Sequence, residues 1–143
     1  MNLEFKDCLK RNKIKLFSRG KILVSKEIKL AASDLKIAKE SFSRGYFKWV
    51  TVQSYYSMFH SGRALIYAKN YREKSHYCLI VAIRALYVEK RKLDFKFVEA
   101  LEKAKTLREN ADYYGDFTKT SAEDLIEKAG EFLEKTKEIL SHS

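Results

Sequence analysis

Residues 46–70 read YFKWVTVQSYYSMFHSGRALIYAKN. They contain no proline, and their one glycine is followed by more apolar sequence. Trp49, Val52, Tyr56, Phe59 and Ile66 recur at spacings close to a helical repeat and share one stripe, with Arg63 as its odd member. Val50, Ser54, Ser57, Ser61, Ala64 and Ala68 form a second face of small residues, which lets a neighbouring backbone approach closely. A helix with apolar or small residues around much of its circumference sits at the centre of a bundle.

The remaining helices read outward from that one. Upstream, Ile28, Ala31, Leu35, Ala38 and Phe42 define a helix over about residues 25–44, ended by Gly45. Downstream, a helix starts near Ser75 and runs to about Lys90, with Leu79, Ile80, Ile83, Leu86 and Tyr87 on its core face. Asp94 is placed to cap the next helix, which carries Phe97, Val98, Leu101, Ala104 and Leu107 to about Asp112. YYGDFTKT at 113–120 reads as a loop, and Ser121 with Asp124 resembles a capping box for a last helix holding Leu125, Ala129, Phe132, Thr136 and Ile139. The fold class is all-α, a four- to five-helix up-down bundle. It occupies residues 25–143, behind a basic helical extension at 1–24, in which Leu3, Leu9, Ile14, Leu16 and Phe17 make a short helix and Gly20 marks the join.

Composition agrees. The 143 residues suffice for one domain with a full core, and the absence of proline favours long helices. No run is apolar and long enough to span a membrane, and the first fifteen residues are too interrupted by charge for a signal peptide. A cytoplasmic protein is expected, with Cys8 and Cys78 reduced and no metal or cofactor site. The net charge of +10 fits a polyanionic partner, and fits equally a Lys- and Glu-rich soluble surface.

The chain has no glycine-rich phosphate loop, no H-E-x-x-H and no G-x-S-x-G. Two segments carry possible chemistry. In SYYSMFHSGRALIYAKNYREKSH (54–76), His60 and Arg63 share a helical face and His76 closes the segment. A buried Arg63 needs an anion, which is either a ligand or a carboxylate from another element. In LRENADYYGD (107–116), Arg108 and Asp112 are four apart. They form either a plain intrahelical salt bridge or, with Tyr113, a phosphate-binding site.

Together these segments resemble the HEPN family, in particular a compact prokaryotic branch of single-domain proteins. The resemblance is carried by Y-Y-x-M-F-H-x-x-R-A-L (Tyr55–Leu65), K-S-H (Lys74–His76), L-R-x-x-A-D-Y (Leu107–Tyr113) and a last helix that starts with Ser and acidic residues, and it spans about residues 25–141. It implies a homodimeric bundle that works in a toxin–antitoxin pair with a minimal nucleotidyltransferase. Active relatives cleave RNA without metal, using an Arg followed by four to six residues and then His. Here Arg108 is followed by Tyr113 where that His is expected, and a tyrosine with its ordinary pKa of about 10 is a poor proton shuttle. The expected function is therefore a nucleotide- or RNA-phosphate-binding module, with Arg63, Arg108, Asp112 and Tyr113 as ligand-binding residues. One alternative is a ribonuclease toxin with an altered site, for which His60, His76 and Arg108 are the catalytic candidates. The other is a structural adaptor bundle without a ligand.

Overall fold

In the computed structural model, which describes residues 2–142, six α-helices are joined by a small two-stranded sheet. They are α1 (Leu3–Lys10), α2 (Gly20–Ser43), α3 (Phe47–Tyr67), α4 (His76–Ile83), α5 (Phe95–Tyr114) and α6 (Lys119–Ser141). A π-helical turn, Arg84–Val88, continues α4. Strands β1 (Ile14–Leu16) and β2 (Tyr71–Glu73) pair antiparallel. The protein is an all-α bundle of the expected kind.

Helix α3 is the central element and packs most extensively against α2, then α6 and α5. Its two faces are used in the reverse of the simplest hydrophobic expectation. The small-residue face is buried: Val50, Ser54, Ser57, Ser61 and Ala64 are closed off, and Ser57 Oγ donates to the Ala31 carbonyl of α2 at 2.8 Å. The large-residue stripe, apart from the buried Ile66 at its end, looks outward or is half-buried, with Trp49 51% and Tyr56 38% exposed. Small side chains bring α2 and α6 close, and the bulk fills the core from those helices through Leu35, Leu125 and Phe132.

Helix ends follow local chemistry. Gly45 adopts φ 78° after α2, the left-handed conformation a glycine takes at low cost. Asp94 accepts from the Lys96 N–H at 2.8 Å, as its position predicts. The last helix starts earlier than expected: Thr118, not Ser121, caps it by accepting from the Ser121 N–H at 3.0 Å, and Asp124 instead bonds Lys128.

The N-terminal segment departs most from expectation. It holds a helix followed by a strand, and Phe5 and Cys8 are its buried helical residues, while Leu3 is exposed. Gly20 opens α2 rather than preceding it by a gap. A Cβ at that position would collide with the Tyr67 carbonyl, so glycine permits the start of α2 to lie against the end of α3. Cys8 and Cys78 are not free thiols. They form a disulfide across 70 residues of sequence, with Cα atoms 5.9 Å apart, and tie α1 to α4. Intracellular disulfides are common in hyperthermophilic organisms and rare elsewhere. No helix among the described residues is long and apolar enough to cross a membrane.

Candidate functional site

The outward stripe of α3 continues as a strip of aromatic and charged groups running onto α4 and α5. Ring contacts link His60 to Phe59, Phe59 to Tyr55, and Tyr55 to His76, at centroid distances of 5.4, 6.2 and 5.9 Å. Residues singled out from the sequence lie along this strip in two separate clusters.

The first cluster joins α2, α3 and β2. His60 Nδ1 meets Glu27 Oε2 at 2.5 Å, and its Nε2 lies 3.8 Å from Asp34. Burial raises the Asp34 carboxyl above its ordinary range, opposed by the attraction of His60. Arg63 is held bidentate by Glu73, with Nε to Oε1 at 3.1 Å and a terminal nitrogen to Oε2 at 2.6 Å, and lies 3.6 Å from Glu27. Its guanidinium also stacks 4.5 Å from the Phe59 ring. Burial disfavours the charge on Arg63, but the hydrogen bond and attraction of Glu73 outweigh it and raise its pKa. Glu27 and Glu73 are both almost wholly enclosed. Glu27 had a readable signal, since it precedes Ala31 by four residues on the buried stripe of α2. Glu73 had none, because its burial depends on pairing with β1.

The second cluster joins α3, α4 and α5. Arg108 packs over two tyrosine rings, 5.4 Å from Tyr55 and 5.5 Å from Tyr56. Its Nε donates to Asp112 Oδ2 at 3.2 Å, the i to i+4 contact the sequence allows. Tyr55 reaches His76 Nδ1 at 3.2 Å. Burial pushes the Tyr55 phenol up to about 12, so its O–H stays on and can donate to that nitrogen. The ring hydrogen of His76 then sits on Nε2, which is buried and meets no partner. Burial, with the positive charges of Lys105 and Arg108, lowers His76 to about 4, and the ring is neutral at physiological pH. A cleft of ≈ 340 Å³ opens beside it, lined by His76, Arg84, Lys105 and Thr106 among others. Tyr113 is 70% exposed at the end of α5.

His76 and Arg108 are thus both brought against Tyr55, while His60 lies with the α2 carboxylates. Arg63 and Arg108 belong to different clusters. Tyr55, the residue on which the second cluster turns, was visible in the sequence as one of a tyrosine pair, yet nothing local marked it as the inward one. No group of acidic, His or Cys residues that could hold a metal ion occurs among the described residues.

The HEPN domain family matches residues 24–140. Two proteins of Methanocaldococcus jannaschii are similar to this chain. "Putative toxin MJ0605" is 30% identical over 114 residues, covering 79% of this chain and 85% of the relative. "Putative toxin MJ0142" is 28% identical over 124 residues, covering 85% and 84%.

Proposed function

This chain belongs to the HEPN family, and from that premise we propose that it is a toxin-type module whose Arg108 cluster binds the phosphate of a nucleotide or RNA. The observation that carries the reading is the setting of Arg108. The guanidinium is spread over Tyr55 and Tyr56 and fastened through Nε alone, which leaves its terminal N–H groups as donors for an anion. The neighbouring His76 is neutral, and Lys105 adds positive charge. The toxin assignment is supported by the names of the two archaeal relatives.

The module works in the cytoplasm as a homodimer with a minimal nucleotidyltransferase as its antitoxin. The dimer is supported by the outward aromatic stripe, where Trp49 and Tyr56 lie exposed seven residues apart on α3. The partner is supported by the family resemblance of the Tyr55–Leu65 and Leu107–Tyr113 segments. Arg63 has its fork filled by Glu73 and serves the fold first.

A second reading rests on one contact. His76 shares Tyr55 with Arg108 and is an unprotonated imidazole: once the Tyr55 O–H turns away from Nδ1, that nitrogen can take a proton from a ribose hydroxyl while Arg108 holds the phosphate. Co-expression with the neighbouring gene, nucleotide titration and an RNA-cleavage assay separate the two. Copurification of a nucleotidyltransferase, with nucleotide binding lost in Arg108→Ala and RNA left intact, supports the binding module. RNA cleavage in the presence of chelator, lost in both Arg108→Ala and His76→Ala, establishes the ribonuclease instead. Nucleotide binding unchanged in Arg108→Ala refutes the proposed site.

A further inference from the structure

We propose that the outer face of the β1–β2 sheet is a binding track for the phosphate backbone of single-stranded RNA. The register sets Ile14 against Glu73, Lys15 against Arg72 and Leu16 against Tyr71. Beyond the paired residues, the Lys74 N–H donates to the Lys13 carbonyl at 2.8 Å and the Phe17 N–H donates to the Asn70 carbonyl at 2.7 Å. Side chains alternate between faces along a strand. Lys13, Lys15 and Phe17 therefore share a face with Arg72 and Lys74, while Ile14 and Glu73 turn to the buried side.

The four cations are exposed, and none joins a salt bridge among the described residues. Glu73, the acid nearest in sequence, is consumed by Arg63. Lys74 is held below the ordinary lysine range, first by its contact with Lys15 and then by the repulsion of Lys15, Lys13 and Arg72. Like charges crowded without counterions are a cost to the folded chain, relieved when a polyanion neutralises them and releases its own counterions.

The surroundings favour a single strand over a compact anion. A groove of ≈ 670 Å³ runs beside the sheet, bordered by Lys15, Phe17, Phe59, Arg72, Lys74 and His76, and the one carboxylate in its lining, Glu73, is neutralised there by Arg63. Phe17 already stacks with the Arg72 guanidinium at 5.3 Å. Aromatic rings set among cations suit unpaired bases on a charged backbone. His76 borders both this groove and the cleft beside α5, so a strand leaving the sheet leads past His76 toward Lys105. The choice of RNA among polyanions rests on the phosphate reading of the Arg108 cluster, whereas the track itself rests on the paired strands.

The test is fluorescence anisotropy with a labelled oligouridylate 12-mer, titrated at several salt concentrations against wild type, K15Q/K74Q and Arg108→Ala. Removing two phosphate contacts from a single strand lowers the slope of log affinity against log salt by about 1.4. Between 50 and 200 mM salt, the double variant then loses about 7-fold less affinity than wild type, and at the lower salt it binds more weakly. A double variant with wild-type affinity and slope overturns the inference. So does a wild-type protein that ignores the oligonucleotide, or one that binds anionic phospholipid vesicles through these lysines in its place. Loss of RNA binding in Arg108→Ala alone also defeats the β1–β2 track while sparing the Arg108 cluster. Loss in K15Q/K74Q, with nucleotide binding absent or unchanged in Arg108→Ala, upholds the track and rejects the cluster.

Discussion

Arg63 offers the sharpest separation between a structural and a ligand-binding arginine. Replacing it with Met keeps an unbranched side chain against Phe59 and Tyr67 but removes the guanidinium. Glu73 and Glu27 would stay behind with side chains 5% and 7% exposed and one cationic partner fewer. Stripping one partner from a buried ion pair costs roughly 3–5 kcal/mol. The lower end applies here, because Arg63 is itself 21% exposed and His60 still serves Glu27. For a chain of 143 residues the unfolding entropy is roughly 0.3 kcal/mol/K, which turns ~3 kcal/mol into a fall in Tm of about 10 °C. Removing the acid as well, in R63M/E73M, should recover most of that loss, since an apolar pair of similar size replaces a buried ion pair at little cost. Thermal melts followed by circular dichroism, with urea midpoints as a second measure, give both numbers. A single variant that melts within a degree or two of wild type, or a double variant no better than the single, would refute the assignment of Arg63 to the fold.

Three further outcomes are expected. Reducing Cys8–Cys78, which closes about 70 residues of chain, should cost roughly 2–4 kcal/mol and lower Tm by about 7–13 °C, and equal melts with and without reductant would show that the staple carries no load. His76 has a folded pKa of about 4 against about 6.5 unfolded, so the unfolded chain takes up the proton first. Its contribution to stability is fully present above pH 6.5 and is lost as the pH falls toward 4. His76→Gln should flatten that part of the profile in urea melts, and a parallel loss in both proteins counts against it. At Gly62 an added Cβ would lie 2.9 Å from Ile83 Cδ1 and 3.5 Å from Leu101 Cδ2. Gly62→Val should cost about 1–3 kcal/mol by overpacking, a reading that a neutral or stabilising result in chemical denaturation would dismiss.

What could be read from the sequence was whatever short-range periodicity encodes. The buried stripe of α2, the core faces of α5 and α6 and the Asp94 cap lie where spacing puts them. Both faces of α3 were visible, but which of them points inward was not. Period alone gives two stripes, and the choice depends on how closely α2 and α6 approach. The N-terminal segment was least legible. Three-residue strands are too short for alternation to register, and β1 exists only because β2, more than fifty residues later, supplies its hydrogen-bond partners. The site divides in the same way. Arg108 with Asp112 was local and visible, whereas the pairings of Arg63 with Glu73, His60 with Glu27 and Tyr55 with His76 span 10, 33 and 21 residues. The cysteines were misjudged for a related reason, since composition suggests a compartment but says nothing of proximity.

The pairing of residues 14–16 with residues 71–73 also fixes an order of events during synthesis. Translation proceeds at about 5–20 residues per second. β1 therefore leaves the ribosome roughly 3–11 s before its partner strand exists, long enough for helices to form and for much of α2 and α3 to associate. During that interval the basic N-terminal segment has nowhere to dock, and Cys8 lacks the thiol it will join. The cationic face can be assembled only after the central helix has been made, so a nascent chain stalled before residue 71 would carry its lysines on an unstructured tail.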